Sequence, residues 1–131
     1  MGTSKALQFY QCKHCGNIVQ MIYASGVPVV CCGEPMQELK PNTVDAAVEK
    51  HVPVAQQDGD LLRVEIGAVA HPMLPEHYIE WIYLETEDGT QRKILSAEDD
   101  PSAAFYVGDA KPLAVYAYCN IHGLWKLALD K

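Results

Sequence analysis

Hydrophobic positions along this chain recur in short runs with the period of an extended strand. Leu62, Val64, Ile66 and Ala68 alternate with Arg63, Glu65 and Gly67, the pattern of a strand with one buried face and one wet face. Ile79, Trp81 and Tyr83 alternate the same way across Glu80. Asp88-Gly89 predicts a hairpin turn leading into a strand at 92–95. Runs at 103–107, 113–118 and 124–129 complete the set, separated by Gly108-Asp109 and a loop at 120–123. Nearer the start, extended runs occupy 7–11, 18–23 and 27–30, with Ser25-Gly26 as a turn. Only 45–50 reads as a helical turn. Six or seven short strands with regular turn signals predict a β-sandwich in the later part of a mainly β chain.

Charge and cysteine then divide the chain. It has 131 residues and a formal charge of −7. Residues 1–40 hold three lysines and two glutamates, while 41–131 hold seven basic and fifteen acidic residues. Pro41-Asn42-Thr43 reads as a turn or linker between two modules, 1–40 and 41–131. An acidic protein of pI 5.1 lacks the positive footprint for nucleic acid or an anionic membrane. The longest apolar run, 113–119, is too short to span a bilayer. The first nine residues carry no signal-peptide core, so a cytoplasmic protein with reduced thiols is expected. A module of about 40 residues buries too little surface to fold alone, and needs a metal, a disulfide or a partner.

Four of the five cysteines lie in that first module. In Cys12-Lys13-His14-Cys15-Gly16, two intervening residues let one tight turn aim both sulfurs at a point. Fifteen residues later come Cys31-Cys32-Gly33, and four thiolates at this spacing imply a tetrahedral zinc or iron site. Adjacent cysteines cannot make the chelate turn of the first pair, so a distorted tetrahedron is expected. His14 is expected to be an exposed spacer. The second module places His51 before Val52-Pro53, His71 before Pro72, His77 before Tyr78, and Cys119 and His122 around Asn120-Ile121. Four neutral nitrogens and one soft sulfur suit a redox-active iron. Five ligands leave an octahedral metal one open position, whereas zinc is satisfied by four. The acidic run Glu98-Asp99-Asp100 reads as a solvated loop, and Trp81 and Trp125 as packing residues.

These residues resemble desulfoferrodoxin, the two-iron class of superoxide reductase. The resemblance rests on Cys12-x-x-Cys15-Gly16-Asn17-Ile18-Val19, Cys31-Cys32, Thr43-Val44-Asp45-Ala46-Ala47, Glu49-Lys50-His51-Val52-Pro53-Val54, 67–73, His77-Tyr78-Ile79-Glu80-Trp81 and Cys119-Asn120-Ile121-His122-Gly123. It implies a small desulforedoxin- or rubredoxin-like metal module binding iron through Cys12, Cys15, Cys31 and Cys32. It implies next an immunoglobulin-like β-sandwich with a second iron, held by His51, His71, His77 and His122 in a plane and by axial Cys119. Two iron ions per chain follow. The implied reaction takes superoxide, one electron and two protons to hydrogen peroxide, without oxygen evolution, as antioxidant defence. Rubredoxin or a similar small carrier is the implied donor, and a cytoplasmic homodimer the implied assembly. Lys50 is implied to guide superoxide and Glu49 to close the sixth position in the oxidised state. Two other classes stay open on the residues alone: a pure electron carrier, and a zinc-stapled binding module.

Overall fold

A computed structural model of the chain describes residues 7–43, 51–67 and 71–129. Glu49, Lys50, Ala68 and the expected helical turn at 45–50 lie outside them. In the described residues the chain is all β, with strands β1 (Gln8–Gln11), β2 (Ile18–Met21), β3 (Val30–Cys31), β4 (Glu34–Pro35), β5 (Gln37–Leu39), β6 (Pro53–Asp58), β7 (Leu61–Ile66), β8 (Ile79–Thr86), β9 (Gly89–Ile94), β10 (Ser102–Tyr106), β11 (Pro112–Cys119) and β12 (Gly123–Ala128). Among the described residues no helix is long and apolar enough to cross a membrane. The chain divides into two compact units, Met1–Lys40 and Pro41–Lys131.

The first unit joins a three-stranded sheet, β2-β1-β5, to the two-stranded hairpin β3-β4. Its buried apolar side chains, among the described residues, are Phe9, Cys12 and Met36, while Ile22, Tyr23, Val27 and Val30 stand exposed. The run expected at 27–30 reaches strand geometry only at Val30. Beyond it, the hairpin and β5 rest on 34–39, where Glu34, Pro35 and Glu38 break any hydrophobic alternation.

The second unit is a sandwich of a three-stranded sheet, β10-β7-β6, and a four-stranded sheet, β12-β11-β8-β9. Alternation on β7 works as expected: Leu62, Val64 and Ile66 are buried and the residues between them exposed. They meet Ile82 and Leu84 of β8, Val115 and Ala117 of β11 and Phe105 of β10 in one core. Strand β6 has no such pattern, since Val54 is exposed and Gln56-Gln57-Asp58 are polar. It pairs with β7 at the sheet edge, where backbone pairing rather than burial defines the strand.

On β8 the expected alternation breaks. Ile79 belongs to the core with Ile82, whereas Trp81 stacks on Tyr118 and meets Tyr83 edge-on. The cause is a register shift against β11: Tyr118 pairs with Trp81, but Cys119 pairs with Ile79. The extra residue, Glu80, reverses the facing of everything before it, as a bulge does. Asn42, expected in a linker, bridges instead to Trp125. Its N–H donates to the Leu124 carbonyl, and its carbonyl accepts from Lys126 N–H, both at 2.9 Å.

Candidate metal centres

The four cysteines of the first unit come together from two turns. Cys12 follows β1, and its carbonyl accepts from Gly16 N–H at 2.9 Å while its own N–H donates to the Asn17 carbonyl. Gly16 takes a φ of +85°, the left-handed conformation that closes this turn with no side-chain clash. The turn also points N–H groups at sulfur: His14 and Cys15 donate to Cys12 Sγ at 3.4 and 3.5 Å. Chiefly through the Cys15 N–H, the Cys12 thiol is lowered to about 6.

The adjacent pair solves its geometry differently. Cys31 ends β3 and Glu34 opens β4, leaving Cys32-Gly33 as a two-residue hairpin loop. Both loop residues have positive φ, 53° and 79°, the combination of a type I′ turn. A non-glycine residue in that conformation costs about 1–2 kcal/mol. The strain falls on a proposed ligand, and it is how neighbouring cysteines reach one point without a chelate turn.

Cys15 Sγ and Cys31 Sγ stand 3.6 Å apart, and the four ligand atoms lie within 4.8 Å of one another. Sulfurs about 2.3 Å from a tetrahedral metal would be about 3.8 Å apart, so the set fits such an ion. Crowding by Cys12 and Cys15 pushes Cys32 up to about 12, and Cys31 also rises. Four sulfurs this close repel as thiolates unless a cation stands among them. His14 turns away, its Nε2 3.0 Å from Glu34 Oε1, and Lys13 reaches the same oxygen at 3.4 Å.

Strand register assembles the second cluster. Pro53 pairs with Ile66, so the segment before β6 and the loop after β7 share one end of their sheet. Cys119 pairs with both Ile79 and Gly123, which brings together the start of β8, the end of β11 and the start of β12. His51, His71, His77, Cys119 and His122 occupy these five positions. Ligand atoms of His51, His77, Cys119 and His122 lie within 4.8 Å of one another. His71 closes the ring of imidazoles, with centroids 4.5 Å from His51 and 4.8 Å from His77. His51, His71 and Cys119 are buried, His77 half-buried and His122 exposed, so the cluster meets solvent on one side.

Ring-nitrogen distances at His71, His51 and His122 suit a shared ion. His71 Nδ1 is 2.7 Å from the Pro72 carbonyl; a carbonyl only accepts, so Nδ1 carries the proton and Nε2 holds the lone pair. His122 Nδ1 lies 3.2 Å from His51 Nε2, close to the roughly 3 Å between neighbouring nitrogens on a metal with bonds of about 2.1 Å. Cys119 Sγ is 3.8 Å from the same His122 nitrogen.

Two residues at this cluster take a part that the sequence does not assign them. Trp125, expected to serve in packing, stacks on His51 at 4.6 Å and donates from Nε1 to the His122 carbonyl at 3.1 Å. Asn120 hydrogen-bonds the backbone on both sides of His77. Neither carries a periodic or spacing signal that would single it out.

Residues 43–128 match the desulfoferrodoxin family, and residues 4–39 match the desulfoferrodoxin N-terminal domain. The chain belongs to the desulfoferrodoxin family. The desulfoferrodoxin of Syntrophotalea carbinolica is 47% identical over 122 residues, covering 93% of this chain and 96% of that protein. Among solved structures, the superoxide reductase of Treponema pallidum superposes with a TM-score of 0.77 at 35% identity, covering 93% of this chain and 97% of that one. A superoxide reductase (1Fe-SOR) of Giardia intestinalis gives a TM-score of 0.55 at 33% identity, over 63% of this chain and 99% of that one. The four-cysteine group and the histidine–cysteine group are consistent with the two iron sites of a desulfoferrodoxin.

Proposed function

We propose that this chain is a superoxide reductase, with residues 1–40 forming a four-cysteine iron domain and residues 41–131 the reductase domain. The observation that carries the reading is the convergence of four imidazoles and the Cys119 thiolate at one end of the sandwich. Likeness to the superoxide reductases of Treponema pallidum and Giardia intestinalis supports it. The reaction is superoxide plus one electron plus two protons to hydrogen peroxide. Ferrous iron held by His51, His71, His77, His122 and Cys119 would supply the electron, becoming ferric.

The residues divide the remaining work. His51, His71, His77 and His122 would hold the ion as neutral donors, and Cys119, a member of the core, would contribute a thiolate. The exposed flank at His122 admits a small anion and water, which brings the two protons. Lys50, next to His51 in the chain, offsets a net charge of −7 for an anionic substrate. Glu49, two positions before His51 in the chain, is proposed to close the open position once the ion is oxidised. A small reduced carrier such as rubredoxin returns the electron, in a cytoplasmic homodimer. Cys12, Cys15, Cys31 and Cys32 hold the second iron.

The deciding measurement is stoichiometry on iron-loaded protein with a reductant present. One peroxide formed per superoxide consumed, with no oxygen evolved, is expected. Oxygen release would make it a dismutase, and failure to consume superoxide would leave an electron carrier.

A further inference from the structure

Asn120 lies between two members of the histidine–cysteine set, and its side chain leaves that loop to grip the residues around a third. Its Oδ1 accepts from Tyr78 N–H at 2.9 Å, and its Nδ2 donates to the Glu76 carbonyl at 3.0 Å. The amide therefore spans the backbone immediately before and after His77. Its own N–H donates to the Tyr78 carbonyl at 3.2 Å. These three bonds begin where the β8–β11 ladder stops, since Cys119 opposite Ile79 is its last pair. Past that point the loop bearing Cys119 and His122 is registered against the His77 loop by Asn120. A primary amide is matched to this task, because it presents one acceptor and one donor side by side, as a strand backbone does.

We propose that Asn120 is a positioning residue of the second centre. It fixes the His77 imidazole relative to the Cys119 thiolate and His122, and thereby sets how firmly the centre holds its metal. The inference rests on reading that centre as an iron site. Outer partners of metal ligands typically alter affinity about 10- to 100-fold when removed, and a loosened ligand also changes the environment of the thiolate.

The test uses the full chain loaded with ferrous iron and then oxidised, comparing wild type with Asn120→Ala, Asn120→Asp and Val64→Ala. Iron release to a chelator and the thiolate-to-ferric absorption band of the second centre are the readouts. Asn120→Ala should release that iron about 10- to 100-fold faster and shift or broaden the band, leaving the four-cysteine centre unchanged. Asn120→Asp loses the donor to Glu76 and should act in the same direction; it carries the test if the alanine chain does not fold. Val64→Ala empties part of a core position that is 1% exposed, so it should lower the melting temperature without moving either readout. Wild-type release and band in both Asn120 variants would overturn the proposal. So would equal changes in Val64→Ala, which would reduce the effect to general loss of stability. A wild-type chain that takes no iron at this centre would overturn the iron reading itself, a result visible without any variant.

Discussion

Among the described residues of the first unit the buried apolar side chains are Phe9, Cys12 and Met36, and one of these, Cys12, is itself a proposed ligand. The histidine–cysteine cluster sits instead at the end of a sandwich whose core runs from Leu62 and Val64 through Ile82 and Leu84 to Val115 and Cys119. Both clusters bring sulfur to a point, yet they stand on different foundations. In the first unit the ligands take the place of a core, because so small a module buries too little apolar surface to offset its chain entropy. In the second, hydrophobic burial builds the sandwich, and the ligands occupy the strand end at Cys119 and the loops it positions. On this contrast, metal is expected to be a folding requirement for one unit and a functional addition to the other.

The sharpest way to break this contrast is Cys12→Ser. Binding of a structural metal is folding free energy, on the order of 10 kcal/mol for small modules. The substitution should abolish amide protection in β1, β2 and β5 while β7, β8 and β11 keep theirs, with superoxide reduction retained at the other centre. Hydrogen exchange on iron-loaded protein checks it, and a protected β1 in the variant would sink the contrast. The reciprocal change is Ile82→Ala, at a position with no solvent exposure. It should cost about 2–5 kcal/mol, read as lowered stability of the sandwich, with the four-sulfur absorption unaltered.

Smaller effects sharpen the contrast at the second centre. Lys50→Ile should slow superoxide consumption about threefold at low salt and flatten its salt dependence, since the attraction of an anion to one positive charge across a short stretch of water is worth on the order of 0.5–1 kcal/mol. Unchanged rates and slope by pulse radiolysis would remove Lys50 from the substrate path. The smallest expected effect lies on β8, where burial raises the Glu85 carboxyl and Lys126 partly opposes the shift. The folded state then holds that proton more tightly than the unfolded chain does. Stability falls as pH rises from below the ordinary carboxylate range through the raised value. Glu85→Gln should remove this slope and stabilise the sandwich at neutral pH by under about 0.5 kcal/mol, since the half-buried carboxyl is only partly removed from water. Denaturant curves at acid and neutral pH read both the sign and the size.

Residues close together in the chain are legible from the sequence itself. The C-x2-C knuckle, the adjacent cysteines, C-x2-H at 119–122 and the alternation of β7 each follow from local backbone geometry, where a few residues set the direction of a side chain. The observed strands at 8–11, 79–86 and 112–119 fall where hydrophobic runs predict them. Strands β5 and β6 are not legible in this way, because a polar strand at a sheet edge is defined by its partner rather than by its own pattern.

What tertiary structure alone decided is how distant loops meet. His51 and Cys119 stand 68 positions apart, and only the pairings of Pro53 with Ile66 and of Cys119 with Ile79 and Gly123 bring their loops to the same ends of their sheets. The bulge at Glu80 turned Ile79 into the core against its apparent period. Asn120 and Trp125 became parts of the site only when the loops they join were side by side. The physical reason is the same in each case. Side-chain chemistry and short spacing act within a turn, whereas register is a property of two strands together and is settled by the core they share.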